Sequence, residues 1–165
     1  MASQLVRHSL LENGTVKMNE TVLTARQALS NTFLMYFKAH SYHWNVEGIH
    51  FPQLHDFFGD LYDDLYGAVD PFAENIRKMK EYAPRNLDEI YSHKTIDADN
   101  VGNTAGTMVA DLLVANDESI VTLNKLFGFL SKDNEQGFAD FVAARLDAHK
   151  KHGWMLRCIL KGTQE

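Results

Sequence analysis

Cysteine occurs once in 165 residues, as Cys158. No disulfide framework can form within the chain, and a reducing, cytoplasmic setting is the expectation. Prolines number three and glycines ten, so little interrupts helix formation. No stretch approaches the ~20 apolar residues that span a bilayer, and the opening Met1-Ala-Ser-Gln-Leu-Val-Arg-His8 lacks the apolar core of a secretory signal. A soluble protein with no membrane partner is expected. Basic charge is also short: 16 Lys and Arg face 22 Asp and Glu, a net charge of −6, which disfavours partners held by phosphate neutralisation.

With 45% hydrophobic residues, the chain is long enough for one domain with a sizeable core. Apolar positions at steps of three and four predict four long helices. The first runs from about Glu20 to Asn45, with Val22, Ala25, Leu29, Phe33, Tyr36, His40 and Trp44 on its buried stripe. The second starts near Pro52, a residue suited to a first turn, and buries Leu54, Phe58, Leu61, Leu65, Ala68, Phe72, Ile76 and Met79. The third, about Thr104 to Ser131, carries Val109, Leu112, Asn116, Ile120, Leu123, Phe127 and Leu130; the fourth, about Glu135 to Lys161, carries Val142, Leu146, His149, Gly153, Leu156 and Leu160. Between Tyr82 and Asn103 the pattern lapses, apart from a short helix expected over Leu87 to Tyr91. The result is an all-α four-helix bundle with one long crossover.

Two histidines and two acids carry the chemistry: His43, His55, Asp70 and Glu74. Asp70 and Glu74 are one helical turn apart, on a shared face. His55 precedes Asp70 by fifteen positions, about 22 Å along a continuous helix. One helix cannot close such a site. An antiparallel copy of it from a second subunit would set position 55 opposite positions 70 to 74, giving two equivalent sites about a two-fold axis. Imidazole with carboxylate suits borderline-to-hard divalent ions, iron(II) among them, and zinc or manganese fit similar donors. A di-iron centre closed within one chain requires two Glu-x-x-His pairs on facing helices. Only Glu47-Gly-Ile-His50 has that spacing, in a glycine-containing turn, so this type of centre is not expected.

His43-Trp44-Asn45-Val46-Glu47-Gly48, Phe51, Leu54-His55, Asp70 and Ala73-Glu74-Asn75-Ile76, with His149-Lys-Lys-His-Gly-Trp-Met-Leu-Arg157 near the end, resemble the mini-ferritins, or Dps proteins (DNA-binding proteins from starved cells). The similarity begins near residue 18, leaving 1–18 as an N-terminal extension. The resemblance implies a ferritin-like bundle assembled into a hollow dodecameric shell. Such a shell takes up Fe(II), oxidises it to Fe(III), preferably with hydrogen peroxide, and deposits ferric mineral inside, protecting against oxidative damage. It further implies that His43 and His55 come from one subunit and Asp70 and Glu74 from its two-fold mate, with Zn(II) as a competitor. Trp44 matches a family tryptophan that intercepts radical by-products; on burial grounds alone it equally fills the first helix's stripe.

Two positions depart from the family pattern. Where the family has an acid one turn after the second histidine, this chain has Gly59, and Asp60 is turned to another face. A second iron is then weakly held, or completed by water or another side chain. Pro71 stands between the two acids; it either kinks the helix, or the helix stops near Gly67 and Asp70 caps a new one.

Asp56, Asp60, Asp63 and Asp64 are candidates to line the cavity, or simply a solvated face. Asp133, Glu135 and Asp140 are candidate pore acids, and His40, His50 and His152 candidate accessory ligands. For DNA, the only basic stripe is Arg145, Lys150, Lys151, Arg157 and Lys161, while the charges within the first twenty residues cancel. Strong DNA binding is not expected. A DNA-condensing shell and a non-oxidising zinc-binding shell remain the alternative functions.

Overall fold

The computed structural model describes residues 19–162; the expected extension, 1–18, lies outside them. Among the described residues there are five helices and no strand: α1 (Glu20–Asn45), α2 (Phe51–Lys78), α3 (Leu87–His93), α4 (Ala105–Lys132) and α5 (Gln136–Gly162). Local chemistry starts them where the sequence predicts. The Asn19 side chain accepts the Thr21 N–H at the head of α1, and Asn86 accepts the Glu89 N–H at the head of α3. Thr104 and Thr107 cap each other's backbone N–H at the head of α4, each bond satisfying an otherwise orphaned donor. Pro52 occupies the first turn of α2.

α2 runs unbroken through Pro71, so Asp70 does not cap a new helix. Gly67 is exposed, and the carbonyl that Pro71 cannot bond is open to water.

α1 packs along α2, and α4 along α5, while α1 also meets α4 and α3. On α2 all seven predicted positions from Leu54 to Ile76 are buried. The α1 stripe is a correction. Its buried line is Val22, Ala25, Leu29, Thr32, Met35, Ala39, Tyr42 and Val46. A step of four from Leu29 to Phe33, where the helix takes three to Thr32, carried the predicted line onto the neighbouring face. That face holds Phe33, Tyr36, His40 and Trp44, and Trp44 is 57% exposed. On α4, Phe127 likewise lies outside the core, and Leu126 is buried in its place.

The core divides into two apolar halves. One gathers Met35, Ala39, Leu54, Phe58, Leu61, Leu65, Leu112 and Leu156; the other gathers Ala25, Leu29, Phe72, Ile76, Leu123, Leu126, Leu130 and Val142. Between them lies a polar layer to which every long helix contributes: Asn31 from α1, Asp64 from α2, Asn116 and Thr122 from α4, and Arg145, His149 and His152 from α5. Most of its polar atoms are paired, as burial favours, while Arg145 Nε, His149 Nε2 and His152 Nδ1 are buried without a hydrogen-bond partner. Asn31 bonds Thr95 and Thr122, and Asn116 bonds the His149 carbonyl and ring.

A second buried network holds the crossover. Asp111 accepts from Lys38 Nζ at 2.7 Å, Tyr42 OH at 2.5 Å and Asn100 Nδ2 at 2.7 Å, and the Gly102 N–H donates to Tyr42 OH. Burial first, and then the bond to Asp111, push the Tyr42 phenol well above its usual value. No described helix is long and apolar enough to cross a membrane.

Candidate metal centre

His43 lies in the last turn of α1 and His55 in the second turn of α2, joined by the short turn 46–50. The last four carbonyls of a helix lack intrahelical partners. One of them, His43 O, accepts a hydrogen bond from His55 Nδ1 at 2.8 Å, while His43 Nδ1 donates to His55 O at 2.7 Å. A carbonyl only accepts, so both Nδ1 atoms carry hydrogen, and each neutral ring keeps its lone pair on Nε2. Metal-binding imidazoles are fixed in this way by a partner on the far nitrogen. The rings stack with centroids 3.7 Å apart and planes at 21°. Two half-buried nitrogen donors are therefore held together by the backbone of the two helices that carry them.

Gly59 lies beneath the His43 ring. A Cβ at this position would sit 3.4 Å from both Cε1 and Nδ1 of His43, an ordinary van der Waals contact, so the imidazole packs directly over the α2 backbone. Other rings enclose the pair. Phe51 stacks on His55 at 5.1 Å, and Tyr62 meets His43 edge-on at 5.3 Å. His40 stacks on Tyr62 at 4.0 Å and contacts Trp44 at 4.3 Å. Trp44 thus stands beside His40, with no ring contact to His43 or His55.

The structure does not bring Asp70 and Glu74 to the histidines. Both are exposed on the same unbroken helix, Asp70 about 22 Å along it from His55. Among the described residues, no three His, Cys, Asp or Glu side chains of one chain gather to hold a metal. Glu47 and His50 are exposed about a turn whose Gly48 has φ +107°.

Several candidate side chains are engaged elsewhere. Asp64 leaves the solvated acidic face: the Arg145 guanidinium grips it at 3.1 and 2.6 Å, and His152 Nε2 is 3.3 Å away. Burial would raise the Asp64 carboxyl, but the Arg145 fork outweighs it and holds the group below the usual carboxylate range. Burial, reinforced by Arg145, depresses the His149 imidazole to about 3. Burial also lowers His152 to about 4, against the opposing pull of Asp64. Arg145 is buried and neutralised, so the expected basic stripe of α5 loses its first member. Asp133 accepts from Thr21 Oγ1 at 2.5 Å.

Sequence reasoning missed Tyr62 and Phe51 as neighbours of the pair, and Gly59 as the seat of a ring. The close spacing of aromatic residues around His43 and His55 was the available signal.

Comparison with known proteins agrees with this architecture. The ferritin-like domain family matches residues 25–165. A DNA protection during starvation protein of Brevibacillus brevis is 28% identical over 140 residues, covering 85% of this chain and 93% of its own length. General stress protein 20U of Bacillus subtilis is 28% identical over 149 residues, with 87% and 99% covered. The crystal structure of a Dps protein from Bacillus brevis superposes with a TM-score of 0.79 at 28% identity, over 85% of this chain and 93% of that one. A bundle with a single crossover, a histidine pair where α1 meets α2, and these matches along nearly the whole chain have one reading: the chain belongs to the ferritin-like family and, within it, to the Dps proteins.

Proposed function

We propose that this chain forms a homo-oligomeric shell, a dodecamer, that binds Fe(II) between two-fold related subunits, oxidises it with peroxide or dioxygen and stores the ferric product. Membership of the Dps and ferritin-like family supports iron storage and protection as the general role. The observation that carries the finer reading is the histidine pair: two Nε2 donors fixed by backbone bonds, with too few donors among the described residues of one chain to complete a site. His43 and His55 of one subunit would meet Asp70 and Glu74 of the partner, making a set of two imidazoles and two carboxylates suited to iron that must stay open to an oxidant. Zn(II) fits the same donors and acts as a competitor.

An exposed apolar surface between α1 and the crossover favours a second copy. Phe37, Leu87, Tyr91 and Val101 are exposed around a cleft of about 460 Å³ between α1 and the crossover, an apolar patch of the kind that marks interfaces. Trp44, in contact with His40, is positioned to intercept oxidising by-products at one remove from the ligands.

Anaerobic loading with Fe(II) followed by peroxide tests the reading. Rapid ferric absorbance is expected from the wild type, with loss of most of that rate in His43→Ala and Glu74→Ala while both variants still elute as assembled shells. Equal rates in all three proteins, or full activity from monomers, would overturn it. A slow background in the wild type, with tight Zn(II) binding, would favour the non-oxidising shell.

A further inference from the structure

We propose that each interface pocket handles one Fe(II) at a time and that Tyr62 supplies the second electron a peroxide requires. This rests on the reading of His43 and His55 as iron ligands and deepens it.

Charge and geometry limit the pocket to one ion. As ligands the two imidazoles are uncharged, and no carboxylate of the same chain joins them among the described residues. The only charge in the proposed set is the pair of carboxylates from the partner subunit, which neutralises one divalent ion. A second ion would place two further positive charges a few ångströms away with nothing to offset them. The position one turn beyond His55 is Gly59, which has no side-chain donor, and the His43 ring packs over it. Asp60 is exposed and lies five residues beyond His55, about 140° around the helix from it.

Rings fill the remaining surroundings. Of those touching the two ligands, Phe51, His40 and Tyr62, only Tyr62 gives up an electron readily. Its ring meets His43 directly at 5.3 Å, whereas Trp44 connects to the pair only by way of His40. From Tyr62 the ring contacts continue to Tyr36 at 6.4 Å and from there to Tyr66 at 5.1 Å, and Tyr66 is 61% exposed. A row of oxidisable rings thus leads from the ligand pair along the face of α2 that the antiparallel copy would meet.

The electron count gives that path its task. Cleaving a peroxide O–O bond to two waters takes two electrons and two protons, and one Fe(II) supplies one electron as it becomes Fe(III). The Tyr62 phenol supplies the other electron with its own proton, becoming a neutral phenoxyl radical, and solvent supplies the second proton. The radical is shared with Tyr36 and Tyr66 by exchange of an electron together with a proton, and a thiol finally returns the hydrogen atom, itself becoming a thiyl radical.

The assembled protein tests this in two measurements. Anaerobic equilibrium dialysis is expected to give one tightly held Fe(II) per subunit, and two per subunit would overturn the proposal. Limiting peroxide is then expected to oxidise one Fe(II) per molecule and to leave a tyrosyl signal in freeze-quenched electron paramagnetic resonance. Tyr62→Phe keeps the ring and removes the phenol; the ratio is expected to rise to two Fe(II) per peroxide, with loss of the signal. A wild-type ratio of two without a protein radical overturns the proposal. So does a signal that survives in Tyr62→Phe but disappears in Trp44→Phe. Undiminished Fe(II) binding by His43→Ala would mark a different failure, that of the pocket itself.

Discussion

His149 and His152 are uncharged inside the polar layer at neutral pH, and their burial makes the fold acid-sensitive. An unperturbed histidine takes up a proton near pH 6.5, which is the behaviour of both in the unfolded chain. In the folded chain they do so only near 3 and near 4 respectively. Between these limits the unfolded state binds more protons, so stability declines as pH falls below about 6.5, by up to ~1.4 kcal/mol per pH unit for each histidine. Asp64 keeps its charge to lower pH than an ordinary carboxylate, so the pair with Arg145 persists over the same interval. Urea midpoints are expected to stay level from pH 8 to 7 and to drop steadily from 6 to 4, with a shallower slope in His152→Gln. Level midpoints down to pH 5 would contradict this account. At this scale the sequence is legible only where chemistry follows spacing. His43 and His55 are found by their interval, but the partner of Asp64 is Arg145, 81 positions away, and nothing local announces it. The bonds that fix the histidine pair end on backbone carbonyls, which every residue possesses, so no residue type signals them either.

Helix positions were legible where one apolar face is unambiguous. α2 alternates large apolar residues with acids, so its buried face is read directly and its ends fall beside Pro52 and after Arg77-Lys78. α1 has two plausible faces: one of small and medium side chains that packs in the bundle, the other of aromatic side chains at the rim. Beyond Leu29 hydrophobicity alone chose the larger rings, whereas close packing between helices selects Thr32, Met35 and Ala39. The turn between the two helices depends on Gly48, at φ +107°, where an L side chain is strained even though no atom stands within 4 Å of an added Cβ. Gly48→Ala is expected to cost about 1–3 kcal/mol through the backbone alone. The turn sets how α1 meets α2, so the same substitution is expected to weaken metal binding by the histidine pair. Chemical denaturation and Co(II) titration measure the two effects. A stable variant with unchanged Co(II) affinity would show that the turn does not position the pair.

For the whole molecule the decisive quantity is charge. Each chain carries −6, so a shell of twelve carries twelve times that, −72, and its average field repels a phosphate backbone. The basic stripe expected on α5 would have to overcome that field, yet Arg145 there is buried against Asp64, and Arg157 faces Asp117 at 3.9 Å. Lys150, Lys151 and Lys161 remain exposed, too few to release many counterions from DNA at one place. The same negative charge favours entry of a divalent cation, so the field that discourages DNA assists iron. Assembled protein is expected not to retard linear DNA in a gel at physiological salt. Any retardation at low salt is expected to vanish steeply as salt rises. A shift that persists at physiological salt would mean that the repulsion is overcome locally, and a variant neutralising Lys150, Lys151 and Lys161 together would then show whether α5 supplies the attraction.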